Sequence, residues 1–198
     1  MKTSRFIHIV LLGMSLYLFF LSPAWGSDKD EVVMNKIVVI VDCSGSFKSQ
    51  RQNAVQQTLH LLDALAQTKM KRWEGDSDQI TLISLDALPQ VVWQGSIKAL
   101  KATNRQDIVN LFSARNEFAA CSDVAGAFQL AFQHLEGDSH YVSKYLFVFS
   151  DLIHEPPTTS VTTCGNPVYV QGDDFPWSLL KDVSTTIFWI PANQQLLW

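Results

Sequence analysis

Along the chain, apolar residues fall into two kinds of pattern. Residues 36 to 41, KIVVIV, hold an almost unbroken apolar run, as does KYLFVFS at 144 to 150. Runs of this length and β-branched or aromatic content predict strands covered on both faces, as in a parallel sheet, rather than strands with one wet side. Between them the spacing changes. From about residue 50 to 67, Val55, Leu59, Leu62 and Leu65 recur every three or four positions while Gln52, Gln56 and Asp63 fall on the opposite side, which predicts an amphipathic helix. A second such helix follows Ser122, with Val124, Phe128, Ala131, Phe132 and Leu135 on one stripe, and is expected to end near Gly137.

The remaining elements fill the gaps. QITLISLDA at 79 to 87 predicts a strand, and after the Pro89 turn QVVWQ at 90 to 94 predicts its hairpin partner at a sheet edge. A short helix is expected over 105 to 115, another near 177 to 183, and a last strand at TTIFWIP, 185 to 191. Residues 153 to 176, rich in Pro, Thr, Gly and Asp, predict a long loop, which a compact domain usually keeps for function. Strands alternating with helices imply an α/β fold: a doubly wound, mostly parallel central sheet flanked by helices, whose ligands sit beyond the carboxyl ends of the strands.

The first 26 residues stand apart. Lys2 and Arg5 precede an apolar stretch from Phe6 to Leu21, and Ser22-Pro23 breaks it before small residues, the layout of a signal peptide cleaved after Gly26. Residues 27 to 198 are then a single exported domain, periplasmic, secreted or at the cell surface, with membrane association only if the leader stays uncleaved. All 19 acidic residues lie in that domain against 13 of the 15 basic ones, a formal net charge of −6. That balance argues against nucleic-acid binding and is compatible with a divalent cation. Export also permits disulfides among Cys43, Cys121 and Cys164.

Two of the apolar strands stop at an acid: Asp42 after VVIV, and Asp151 after LFVFS. In neighbouring parallel strands the two carboxylates would share one rim. After Asp42 come Ser44 and Ser46, two apart, with Gly45 allowing a tight loop, and Ser122 stands where it would cap the second helix. Hydroxyls and carboxylates together form an oxygen-only donor set, suited to a hard cation such as Mg²⁺ or Mn²⁺.

The run Asp42-Cys43-Ser44-Gly45-Ser46, the downstream Ser122-Asp123-Val124 and the strand-terminal Ser150-Asp151 resemble the von Willebrand factor A domain and its metal-ion-dependent adhesion site, DxSxS then Thr then Asp. The resemblance covers roughly residues 35 to 191. It implies that Ser44 and Ser46 bind the metal directly, that Asp42 and Asp151 act largely through water, and that Ser122 takes the threonine position. It further implies that the metal captures an Asp or Glu side chain of a partner protein. The family continues after its corresponding strand through a helix, a strand and a terminal helix, whereas this sequence runs only to Trp198, so the C-terminal part is expected to be abbreviated.

Other readings of the same residues are weaker. As a phosphotransferase nucleophile, Asp42 would want a second acid where Ser44 stands, and His154-Glu155 lacks the second histidine of a zinc HExxH motif. The expectation is a binding module rather than an enzyme, the alternative being a structural subunit of an envelope or secretion assembly that keeps the fold with incidental metal binding. Cys121 and Cys164 fall on different loops at the rim and are expected to pair, with Cys43–Cys121 as the alternative. Trp177, beside a loop of Asp and Pro, is the tryptophan expected at an exposed face.

Overall fold

A computed structural model describes residues 34–67, 78–136, 141–169 and 177–189. The leader of residues 1–26, Gly137, Trp198 and the side chain of Trp177 lie outside the described residues, as do the expectations placed on them. Five strands form the central sheet: β1 (Met34–Asp42), β2 (Gln79–Leu85), β3 (Gln90–Ser96), β4 (Tyr141–Phe149) and β9 (Val183–Phe188), in the order β3-β2-β1-β4-β9. β1, β2, β4 and β9 run parallel, and β3 pairs antiparallel with β2 as the edge hairpin the sequence predicts. The chain winds outward from β1 to one side and then, through β4 and β9, to the other. The switch point therefore falls between β1 and β4, where open α/β sheets bind their ligands.

Covering both faces explains the apolar runs. Alternate residues of β1 enter opposite cores: Ile37, Val39 and Val41 pack under helix α1 (Lys48–Gln67) with Ala54, Val55 and Leu62. Val38 and Ile40 pack under helix α4 (Val124–Leu135) with Phe128, Ala131 and Phe132. Two shorter helices, α2 (Ile97–Ala102) and α3 (Arg105–Ser113), complete the first face. The sequence pattern misses α2, which spans only six residues. Its start is set by Ser96, whose hydroxyl accepts from the Ala99 N–H at 3.2 Å, and Ile97 and Leu100 turn inward.

The segment after Asp151 departs from the expected loop. It folds into two small antiparallel ribbons, β5 (Ile153–His154) with β8 (Val168–Tyr169), and β6 (Pro157–Ser160) with β7 (Thr163–Cys164). Two-residue polar strands carry no periodic signal. They are held from outside, by the Cys121–Cys164 disulfide and by a bridge between Ser122 and Glu155. That disulfide is the pairing expected, and Cys43 is the free, buried thiol.

Candidate functional site

β1 and β4 are neighbours in register, Val41 opposite Phe149, so Asp42 and the Ser150-Asp151 pair emerge together at the carboxyl rim. Asp42 is fully buried. One carboxylate oxygen accepts the Ser44 backbone N–H at 2.8 Å and the other accepts the Ser150 hydroxyl. Burial dominates these hydrogen bonds and raises its carboxyl to about 7. Asp151 is half-buried and is also raised by burial, against the Ile153 N–H and the Ser46 hydroxyl that favour its ionised form. Ser44 and Ser46 hydroxyls lie 3.1 Å apart. Asp42, Ser44, Ser46 and Asp151 are thus connected through hydrogen bonds.

Local chemistry shapes the loop. Gly45 separates the two serines because the backbone of another segment passes close by: a Cβ there would meet the Ala119 carbonyl oxygen at 3.2 Å. Arg51, one turn into α1, donates to the Cys43 and Ser44 carbonyls and to Asn116, fixing the loop from below. After Ser150 the chain turns through Leu152, whose φ of 57° is left-handed and carries a cost of about 1–2 kcal/mol for a residue with a Cβ. Ser150 Oγ takes the Leu152 N–H at 2.8 Å, and Asp151 Oδ1 takes the Ile153 N–H at 3.1 Å. Leu152 is itself fully buried, so packing holds the turn.

Ser122 is placed differently from its expected role as cap. The α4 cap is Asp123, whose carboxylate accepts the Gly126 N–H at 2.9 Å. Ser122 instead donates its hydroxyl to the Ile153 carbonyl and accepts the Glu155 N–H at 3.1 Å, stitching β5 to the start of α4. His154 takes part in the same seam: its Nδ1 accepts the Val124 N–H at 3.1 Å, and burial lowers its pKa.

Several residues at this rim have roles that the sequence reading did not assign. Ser150 supplies a direct hydrogen bond to Asp42, and Arg51 clamps the serine loop. Just past β2, the buried Asp86 is held by the Arg115 guanidinium through two bonds of 2.9 Å and accepts the Leu88 N–H. An aspartate following an apolar strand was the available signal, since QITLISLDA ends as VVIVD does.

The side-chain atoms of Ser44, Ser46, Ser150 and Asp151 around Asp42 that could ligate a cation are all oxygens. Among the described residues no three of His, Cys, Asp and Glu are grouped as a metal site, so a cation would depend on the serine hydroxyls as well as the acids. Cys43 is unsuited as a ligand: burial raises its thiol to about 12, and a soft sulfur is a poor partner for a hard cation. Asp42 is paired with no Lys or Arg among the described residues, which leaves a buried carboxylate open to cationic compensation. Asp42, Ser44, Ser46 and Asp151 therefore fit a hard divalent cation.

Among solved structures, the chain is similar to the open form of the pilus adhesin SpaC from Lactobacillus rhamnosus GG, with 16% identity and a TM-score of 0.49 over 63% of this chain and 15% of that one. It is also similar to proximal thread matrix protein 1 from the mussel byssus, with 12% identity and a TM-score of 0.46 over 79% and 38%. A third is the vWF domain of the type V pili tip protein Mfa5 from Porphyromonas gingivalis, with 18% identity and a TM-score of 0.43 over 67% and 43%. The chain spans less than half the length of each. Comparison with curated proteins gives no match. The family profile described as von Willebrand factor type A domain matches residues 37–154, from the first buried strand to the seam at His154, and with that the chain belongs to the von Willebrand factor type A domain family.

Proposed function

We propose that this domain is an exported protein-binding module, not an enzyme, that holds Mg²⁺ or Mn²⁺ at its carboxyl rim and recognises an acidic residue of a partner protein. The observation that carries this reading is Asp42: a fully buried carboxylate with hydroxyl and N–H partners and, among the described residues, no paired cation. Ser44, Ser46 and Asp151 adjoin it and, with Ser122, make up the proposed ligand set. When bound, the cation would supply positive charge and an open coordination position for a carboxylate. The residues of this chain hold that position in place: Arg51 fixes the loop backbone, and the Leu152 turn sets Asp151. Mn²⁺ binding followed by electron paramagnetic resonance tests the reading. Ser44→Ala and Asp151→Asn should each weaken binding at least tenfold, and partner capture should be lost in EDTA. Unchanged Mn²⁺ affinity in both variants overturns it.

A second reading has its own observation. The Ser122 hydroxyl already makes one donor and one acceptor bond to the 153–155 backbone, as a purely structural residue would. On that reading the domain is a structural subunit of an envelope or secretion assembly, and partner capture is indifferent to EDTA and to Ser44→Ala.

A further inference from the structure

Beside the serine loop, helices α1 and α3 part to leave a cleft of about 330 Å³. Val55, Val109 and Phe112 give it an apolar floor, Lys48 and Arg51 line it as well, and no lining residue is acidic. Neither cation forms an ion pair with a carboxylate among the described residues. Lys48 is exposed. Arg51 directs its Nη atoms to Asn116 and to the Cys43 and Ser44 carbonyls, while its Nε–H is buried with no hydrogen-bond partner among the described residues. Two positive charges therefore stand uncompensated beside an apolar floor.

We propose that this cleft, resting on the reading of the rim as a metal site, is a second recognition pocket for the same partner protein: it takes an apolar side chain on its floor and a second carboxylate at Lys48. The partner then carries two acids and an apolar residue in one short segment, the first acid meeting the cation. Continuity with the rim supports this. Arg51 both lines the cleft and donates to the Ser44 carbonyl at 3.4 Å, and the Lys48 N–H closes the serine loop onto the Gly45 carbonyl at 3.3 Å. Lys48 is two residues from Ser46, so their Cα atoms are at most about 7 Å apart, a distance that two or three extended residues of a partner cover.

Charge complementarity selects this occupant. Residues 27 to 198 hold 13 basic against 19 acidic residues, a formal net charge of −6. A second copy or a nucleic acid would approach as a polyanion against that field, whereas a single carboxylate needs only the local positive spot. The helix face also suits a peptide. Lys48, Gln52 and Gln56 recur every four positions along α1 and all line the cleft, so the two exposed amides can donate to and accept from the backbone of a segment laid along the helix.

Peptide selection on the full chain with Mn²⁺ present tests this, using a phage-displayed library of random peptides. Enriched peptides should carry a second acid roughly two to four positions from the first, with an apolar residue between or beside them. Selection on Lys48→Gln, a change at an exposed position that leaves packing intact, should keep the first acid and lose the preference for the second. Peptides selected on the parent should bind Lys48→Gln at least threefold more weakly by fluorescence anisotropy. Lys98→Gln, the same change at an exposed α2 position outside the cleft, should bind them as the parent does. Peptides with a single acid, equal binding to Lys48→Gln and the parent, or no enriched peptide overturn the proposal. So does a dimer of the protein alone that Lys48→Gln dissociates, which assigns the cleft to a second copy. Mn²⁺ binding to the parent, read by electron paramagnetic resonance, separates this proposal from the metal-site reading. Peptides that survive EDTA yet need Lys48 uphold the cleft and overturn the metal site, whereas bound Mn²⁺ with no second acid selected overturns the cleft alone.

Discussion

Removing the charge of Asp42 should stabilise the metal-free protein at alkaline pH. Its carboxyl is raised from 3.8 to about 7 by burial. Between those values the folded state holds a proton that the unfolded state has lost, so stability falls as pH rises through this window. Below pH 4 both states are protonated and the contribution is fully present. Above pH 7 it is gone. Three units at 1.36 kcal/mol each give about 4 kcal/mol across the window, of which about 3 kcal/mol falls between pH 5 and pH 8. His134 and His154, both lowered by burial, act in the opposite direction by favouring the neutral form in the folded state.

The comparison that isolates Asp42 is Asp42→Asn against the parent, each unfolded in urea at pH 5 and pH 8 with EDTA present and followed by tryptophan fluorescence. Contributions from groups not coupled to Asp42 cancel in that difference; Asp151, whose charge helps to raise Asp42, is the coupled neighbour. The stability difference should move in favour of the variant by about 3 kcal/mol from pH 5 to pH 8, a relative melting shift of roughly 6–12 °C for a domain of this size. Millimolar Mg²⁺ or Mn²⁺ at pH 8 should recover much of the deficit in the parent and little in the variant, through preferential binding to the folded state. If the two proteins keep a constant difference at both pH values in EDTA, Asp42 does not titrate as its burial requires, and the electrostatic argument for a cation at this rim fails with it.

Asp86→Ala leaves the Arg115 guanidinium buried without its carboxylate and should cost about 3–5 kcal/mol in urea unfolding, with Asp86→Asn intermediate. Reducing Cys121–Cys164, which spans a sequence separation of 43 residues, should cost about 4 kcal/mol on chain-entropy grounds, measured as a shift in urea midpoint with and without reductant. Ser122→Ala removes one donor and one acceptor from the β5 seam and should cost about 1–3 kcal/mol, while Ser122→Thr should retain the hydroxyl contacts; hydrogen exchange at the Glu155 amide reports the difference.

What the sequence made legible were elements whose stability comes from their own side-chain pattern. IVVIV and LFVF could only be buried strands, and the Leu and Val spacing of α1 could only be one helix face. The Asp42–Asp151 proximity followed from parallel neighbours. The ribbons after Leu152 were not legible, because their few polar residues are positioned by partners across the fold: Cys164 by Cys121, Glu155 by Ser122. The cap of α4 was misassigned by one residue for a similar reason. Ser and Asp are both good caps; the choice falls to Asp123 because the hydroxyl of Ser122 is drawn to a backbone more than thirty positions away.

The two aspartates at the rim separate structure from function. Asp42 ends β1 and Asp86 follows β2, both are fully buried, and each accepts a backbone N–H two residues ahead, Ser44 and Leu88. Sequence alone makes them near equivalents. The fold then gives Asp86 a guanidinium with two parallel hydrogen bonds, the strongest internal compensation a carboxylate can receive. Asp42 receives hydroxyl and N–H donors and retains its burial penalty. Had Asp42 been needed only to close a turn, the solution at Asp86 was one strand away. An uncompensated acid beside Ser44, Ser46 and Asp151 gains most from a cation that arrives from outside, and that asymmetry is the physical reason for reading this rim as a site.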